Sequence, residues 1–300
     1  MGNKRMLDCQ ASDFKAMTSK DLLHSIRANE GRTLLVEVRE DRTPHLPDLT
    51  NCELARAAGA DLVLLNQMDV FQPQIWGLSE NQNPIQTLKS FVQRPMGVNL
   101  EPLAPENNQP LENLEKLPAG RICSKNSLKR VEELGLNFVC LTGNPRSGVS
   151  NQAILEGIKL AKQYFSGLII AGKMHSAAYC ESISSLKWVA QFIEAGADII
   201  LLPAVGTVPG FTIQDFEQSR QLIHQKGALC MAANGMSQDC SQKEVVIKLA
   251  IDAKIAGADI IHIGCSGSGG IAPFENIMQL SIAVRGLNHT LRRMAVSNSR

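Results

Sequence analysis

Aromatic residues make up only 4% of this 300-residue sequence, with two Trp and two Tyr among them. A surface that stacks bases on aromatic rings is poorly supplied by such a chain. Neither sign of charge is in excess: 30 Lys and Arg stand against 29 Asp and Glu, a formal net charge of +1. The basic footprint of a nucleic-acid-binding or anionic-membrane-binding protein is missing. No apolar run approaches the roughly 20 residues of a membrane-spanning helix. The opening residues Met1-Gly-Asn-Lys-Arg-Met-Leu-Asp8 also lack the apolar core of a signal peptide. The eight cysteines (Cys9, Cys52, Cys123, Cys140, Cys180, Cys230, Cys240 and Cys265) include no CxxC pair, and no histidine stands at zinc-finger spacing from them. Several sit inside apolar runs, as in Phe138-Val-Cys140-Leu, where they read as small hydrophobic filler. These absences lead to the expectation of a cytoplasmic protein with no nucleic-acid and no membrane partner.

What is present is an ordinary globular composition, 44% hydrophobic and 20% charged, and an internal echo. Arg56-Ala-Ala-Gly59-Ala-Asp61-Leu-Val-Leu-Leu returns as Glu194-Ala-Gly196-Ala-Asp198-Ile-Ile-Leu-Leu and as Ile255-Ala-Gly257-Ala-Asp259-Ile-Ile-His-Ile. A looser copy is Glu133-Leu-Gly135-Leu-Asn137-Phe-Val-Cys-Leu. Each reads as a helix end, a glycine suited to the left-handed position that closes a helix, a short turn and a strand. The strands are apolar on both faces, as in a parallel sheet covered by helices. They fall at about 33–38, 61–66, 95–99, 137–142, 167–172, 198–203, 228–233 and 259–264. Amphipathic stretches at 50–58, 82–92, 125–134, 150–164, 181–195, 212–226, 241–256 and 273–294 separate them. Eight alternations predict an α/β fold, a single (β/α)8 TIM barrel. Ser19 to Asn29 reads as an extra N-terminal helix placed to close the bottom of the barrel. Residues 1–31 then form an N-terminal helical extension and 32–300 the barrel domain. Asp61, Asp198 and Asp259 fall at the bottom face, where they help set turns and take no part in chemistry.

In such a barrel the chemistry sits on the loops that follow each strand. Those positions carry Glu37 and Arg39, then Asn66, Gln67 and Asp69, then Asn99 and Glu101, then Thr142, Asn144 and Arg146. Further round come Lys173 and His175, the run Pro203 to Gly210, then Asn234, Gly235, Ser237 and Gln238. After the eighth strand stands Gly264-Cys-Ser266-Gly267-Ser268-Gly269-Gly270, followed by Pro273, which suits the first turn of a helix. Glycines let backbone N–H groups approach an anion, and a helix N-terminus adds a favourable dipole. This run, with Asn66, Asn99, Asn234, Gly235 and Ser237, is the candidate phosphate or carboxylate site. Lys173, which counters charge, and His175 and Glu37, which move a proton, are the catalytic candidates. Glu37, Asp69 and Glu101 are the candidate ligands of a Mg²⁺ ion, which prefers oxygen donors. Residues 101–119, rich in Pro and Asn, make a long loop of the functional or mobile kind. Arg285, His289, Arg292 and Arg293 are expected on a solvated or oligomer-facing side of the last helix, with Asn276 to Arg293 as the homo-oligomer interface.

Gly172-Lys-Met-His175, Gly206-Thr-Val-Pro-Gly-Phe211, Gly257 to Gly264, Pro273-Phe-Glu-Asn-Ile-Met278 and Ser281-Ile-Ala-Val-Arg285 through Arg293 together resemble a bacterial (β/α)8-barrel family carrying the label phosphonomutase. The resemblance runs from about Arg32 onward, and that family is distantly similar to the phosphoenolpyruvate mutase and isocitrate lyase class. It implies cleavage or rearrangement of a C–C or P–C bond in a small 2-oxo acid. The Glu-Asp-Lys gating segment and acidic magnesium cluster associated with working mutases are not found. Gly264-Cys265-Ser266-Gly267 stands where related sequences are expected to read Gly-Asp-Ala-Gly. Residues and resemblance together point to a lyase or isomerase acting on a small phosphorylated or 2-oxo acid metabolite. The alternatives are a metal-dependent phosphatase or other hydrolase on the same scaffold, and a sugar-phosphate-binding regulatory protein without turnover.

Overall fold

A computed structural model of the chain describes residues 4–78, 83–103, 110–265 and 269–300. Eight parallel strands close into a barrel in chain order: β1 (Thr33–Val38), β2 (Leu62–Leu65), β3 (Met96–Leu100), β4 (Phe138–Leu141), β5 (Leu168–Gly172), β6 (Ile199–Pro203), β7 (Leu229–Asn234) and β8 (Ile260–Ile263). β8 returns to β1, with Leu35 opposite His262. The helices between them are α3 (Asn51–Ala57), α4 (Pro84–Val92), α5 (Lys125–Glu133), α6 (Asn151–Tyr164), α7 (Leu186–Ala195), α8 (Ile213–Gln225), α9 (Lys243–Ile255) and α10 (Phe274–Arg285). Side-chain alternation divides the core in two. Leu35, Leu62, Leu64, Phe138, Cys140, Ile170, Leu201, Met231 and Ile260 fill the barrel interior. Leu34, Val36, Val63, Val98, Val139, Ile169, Ile200 and Ile261 point outward under the helices. Gly97 shows how the interior is fitted, since a Cβ there would lie 2.2 Å from the Phe138 ring. The small residue makes room for one of the largest fully buried side chains.

The repeated sequence motif has a physical job at the bottom of the barrel. The backbone N–H of Asp61 donates to the carbonyl of Leu34, and the Asp61 carboxylate accepts the Leu34 N–H, both at 2.9 Å. Asn137 makes the same reciprocal pair with Met96, Asp198 with Ile169 and Asp259 with Cys230. Each residue at the start of an even-numbered strand thus satisfies an amide at the start of the strand before it, the first in β3 and the second in β1, β5 and β7. A backbone N–H left unpaired there would be costly to bury. The expectation that these aspartates serve turns is met, and Asn137 shows that the looser copy does the same.

Three boundaries differ from the sequence reading. The last predicted helix is two, α10 and α11 (Leu287–Ala295), because Gly286 has φ +80 and ψ 164, a conformation that ends a helix. The helix predicted from 181 begins only at Leu186, and the segment after β5 runs irregularly. Before β1 there are α1 (Ala11–Ala16) and α2 (Ser19–Arg27), and only the second was anticipated. Met6, Cys9, Phe14, Leu22 and Ile26 join the cluster that fills the barrel interior, so these helices plug its lower end. Arg285 and Arg293, expected on a solvated face, are instead buried at that end. Each pairs with Asp61 at 2.7 Å. Arg285 also donates to the Gly59 carbonyl, and Arg293 to those of Met6 and Cys9. The interior of α11 is polar because it docks on a buried carboxylate, a contact that helical periodicity does not reveal.

Candidate active site

Continuing the strand alternation upward places Glu37, Asn66, Asn99, Thr142 and Gly235 on the inward side. They line a cavity of about 700 Å³ at the C-terminal ends of the strands, joined by Arg39, Arg42, Gln67, Asp69, Arg121, Asn144, Arg146, His175, Ser237, Asp239 and Cys265. Its floor is a chain of side-chain hydrogen bonds. Asn66 donates to Glu37 at 2.9 Å and to the Asn144 carbonyl at 3.0 Å. Asn99 and Asn144 both donate back to Asn66, at 2.9 and 3.0 Å. Asn144 also donates to Glu101 through its side chain at 2.9 Å and its backbone at 3.1 Å. Beneath the floor Glu101 is held by Arg121 at 2.8 Å.

Glu37 is the carboxylate best placed for chemistry. Burial alone would raise its pKa. Hydrogen bonds from His262, the Cys265 thiol and Asn66, with the His262 charge, outweigh it and hold the group below the usual range. His262, wholly buried in β8, donates Nε2–H to Glu37 across 3.3 Å. It is a hydrogen-bonded core histidine. His175 is shifted in the same direction, with the opposite result for its charge. Burial, with help from the nearby Lys173 charge, lowers its pKa to about 4, so the ring is neutral at physiological pH. Its Nδ1 accepts the Ala177 N–H at 3.0 Å, which leaves the proton on Nε2. A neutral imidazole with one committed nitrogen is a hydrogen-bond donor for a developing oxyanion rather than a base.

Lys173 follows β5 one residue out of phase and is not on the cavity wall. Its amine is buried and bonds the Val149 carbonyl at 3.0 Å and Glu181 at 3.2 Å. Burial lowers its pKa, and Glu181 opposes that shift. Since Glu181 also accepts the Asn151 N–H at the start of α6, the pair clamps the β5 loop to that helix. Asn234 likewise faces away from the cavity, buried at the end of β7. Gly264 and Gly270 are packing positions: an added Cβ would meet Asp239 at 2.9 Å in the first case and Arg42 at 2.8 Å in the second. Gly269 is exposed and not on the cavity wall. Ser266, Gly267 and Ser268 lie outside the described residues.

The three carboxylates anticipated for Mg²⁺ do not converge. Glu37 is committed to His262 and Asn66, and Glu101 to Arg121 and Asn144. Asp69 accepts the Phe71 and Gln72 N–H groups in its own turn. These donors do not make a shared cation cage. Among the described residues, the group with metal-type ligand atoms close together is His224, Cys230 and Asp259, at the other end of the barrel. There Asp259 already caps β7.

Several cavity residues carry a signal that composition did not. Gln67, Arg146 and Ser237 line it with φ of +56, +63 and +69. Left-handed backbone at a non-glycine residue costs on the order of 1–3 kcal/mol, and it gathers where function over-determines geometry. Arg146 is exposed at the rim and stays outside the ion pairs that occupy Arg39, Arg42 and Arg121. Arg121, Glu115 and Asp239 also line the cavity, though the sequence did not single them out. Arg121 and Glu115 sit beyond strand three, on or just past the long loop, far in sequence from the strand end they serve.

The model of a family described as a domain of unknown function, DUF7916, matches residues 7–300. The chain belongs to that family. A comparison with curated proteins gives no match. Among solved structures the chain is similar to an archaeal fructose 1,6-bisphosphate aldolase, with 14% identity and a TM-score of 0.52 over 86% of this chain and 95% of that one. It is also similar to 2,3-dimethylmalate lyase, a PEP mutase/isocitrate lyase superfamily member, with 12% identity, a TM-score of 0.49, and 82% and 81% covered. A third is the phosphoenolpyruvate phosphomutase of Streptomyces platensis subsp. rosaceus, with 14% identity, a TM-score of 0.49, and 85% and 81% covered. At 14% identity the likeness to the aldolase speaks to the barrel fold and not to a reaction.

Proposed function

We propose that this member of the family is an enzyme of the lyase or isomerase type, acting on a small anionic metabolite at the C-terminal ends of the strands. Glu37 accepts a proton from the substrate. His175 Nε2–H stabilises the negative charge that develops on a substrate oxygen, and Arg146 with Arg42 attracts the anionic group from the rim. Glu37 is a weak base, so it works only where the charge it creates is stabilised, which is the part assigned to His175. Lys173 in this reading positions the β5 loop that carries His175.

The observation that carries the proposal is the presence, in one polar cavity, of a buried carboxylate and an imidazole whose pKa values are both lowered, which leaves the first ionised and the second neutral. A proton acceptor beside a neutral hydrogen-bond donor suits proton abstraction with stabilisation of the oxyanion that forms. The resemblance of the sequence to phosphonomutases adds the class of chemistry, C–C or P–C bond cleavage or rearrangement. The test is turnover on a panel of phosphorylated and carboxylated 2-oxo and hydroxy acids with the wild type and Glu37→Gln. The variant is expected to fold and to keep binding, with turnover down about 10²- to 10⁴-fold. Undiminished turnover in that variant removes Glu37 from the mechanism.

A further inference from the structure

The amide network on the cavity floor has a direction fixed by its two ends. Glu37, held ionised, can only accept, so Asn66 must turn its Nδ2 toward it. Glu101, paired with Arg121, likewise accepts from Asn144 Nδ2. Asn66 Oδ1 is then left to accept, and Asn99 must give it Nδ2 at 2.9 Å. Asn99 has no freedom to flip, and its Oδ1 is an acceptor without a partner among the described residues. Thr142 Oγ1 is equally without a partner. Both residues line the cavity, at 3% and 2% exposure. Buried polar atoms in native proteins are nearly always paired, and an exception at a binding site marks where a ligand completes the set.

We infer that the ligand is a polyhydroxylated anion, a phosphorylated or carboxylated polyol or sugar acid, whose hydroxyls donate to Asn99 Oδ1 and pair with Thr142 Oγ1. Its anionic group extends to Arg146 and Arg42 at the rim. The inference rests on the anion-site reading above and names its substrate class. A 2-oxo acid fits this floor badly, because its carbonyl and carboxylate oxygens only accept and would leave Asn99 Oδ1 unpaired. An ammonium fits it badly as well, because the Glu37 and Glu101 carboxylates already have hydrogen-bond donors in His262, Asn66 and Arg121. Asn99 Oδ1 and Thr142 Oγ1 are neutral oxygens, which do not offset the desolvation of a cation. A hydroxyl is neutral, donates to the amide oxygen and can both donate to and accept from the threonine.

The test is calorimetric titration of the whole protein with matched probes. Glycerol 3-phosphate and 6-phosphogluconate carry hydroxyl donors, propyl phosphate and phosphoenolpyruvate lack them, phosphoethanolamine offers an ammonium, and ribitol is uncharged. Wild type is expected to bind glycerol 3-phosphate about tenfold or more tighter than propyl phosphate. Thr142→Val should lose most of that margin while binding propyl phosphate as before, and Thr142→Ser should restore it. Melting of free Thr142→Val at or above the wild-type temperature shows that the fold is intact. Equal affinity for glycerol 3-phosphate and propyl phosphate overturns the inference and leaves the anion site standing. A preference for phosphoethanolamine overturns it in favour of an amine. Ribitol binding without any phosphate response supports the hydroxyl contacts and sinks the anion reading alone. Silence toward every hydroxylated probe overturns the inference, while the Glu37→Gln turnover assay decides the proposed function separately.

Discussion

The two ends of the barrel handle buried polarity in opposite ways. At the bottom, Asp61 is enclosed by Arg285, Arg293 and the Leu34 N–H, and four strand-start residues close reciprocal pairs with the strands before them. Positive φ in the helix-closing turns there falls mostly on glycines, Gly59, Gly135, Gly196 and Gly257, which bear it without strain, although Gln93 at the end of α4 and Glu30 after α2 take it too. At the top, Asn99 and Thr142 keep unpartnered atoms, and Gln67, Arg146 and Ser237 adopt left-handed backbone despite their side chains. His175 is held neutral and Glu37 ionised within one cavity. At the bottom the shared carboxylate and the strand-start amides are answered within the fold. The top is held away from its own optimum, as expected of the end that meets a ligand.

The largest expected effect tests the bottom. Asp61→Asn leaves two buried arginines without their shared carboxylate, and breaking a buried pair by removing one partner costs about 3–5 kcal/mol. Urea unfolding should show that loss, with ligand affinity at the top unchanged in the protein that remains folded. A loss under about 1 kcal/mol would mean that charge does not hold this end, and the contrast between the ends would weaken.

The next effect belongs to the top and depends on pH. Glu40, buried in the loop after β1, accepts the Asn51 and Cys52 N–H groups, yet burial raises its pKa from 4.5 to about 7. A raised folded pKa means that the folded state keeps a proton that the unfolded chain releases. The stability this contributes is fully present below about pH 4.5 and is lost as pH rises through about 7, on the order of 3 kcal/mol. His175 has the opposite sign: its contribution is present above about pH 6.5 and is lost as pH falls through about 4. Between about pH 4.5 and 6.5 the two slopes oppose each other, so unfolding free energy should change little there in wild type, and Glu40→Gln should expose the rise toward neutral pH that His175 contributes. Superimposable pH profiles of the two proteins would show that Glu40 is not buried as described.

Much of this fold was legible because its physics is periodic. Strands apolar on both faces, glycine-closed helices and a motif repeated four times leave little but a closed barrel, and strand ends followed by loops then indicate where Glu37, Asn66, Asn99 and His175 gather. What was not legible is phase and partnership. Lys173 looks catalytic in Gly172-Lys-Met-His175, but one residue of strand register turns it behind the wall to Glu181. Arg285 and Arg293 look like a charged surface until Asp61, more than 200 positions away in sequence, is brought beneath them. The direction of the asparagine network follows from hydrogen-bond donors and acceptors that meet only in three dimensions. No spacing along the chain encodes it.

The smallest expected effect separates capping from charge. Asp198 and Asn137 do the same work at the bottom, each accepting an amide at the start of the preceding strand through a side-chain oxygen. Asn137 does so without a charge, so the amide oxygen suffices. Burial moreover raises the pKa of Asp198, which the Ile169 N–H and the charge of Lys162 only partly oppose, so ionisation there is a burden. Asp198→Asn should therefore change unfolding free energy at neutral pH by less than about 1 kcal/mol, in either direction. The same substitution at Asp61 should cost several times more, because the Asp61 carboxylate answers two arginines as well as an amide. Equal losses at both positions, measured side by side in urea, would show that the cap and not the ion cluster carries the bottom of the barrel.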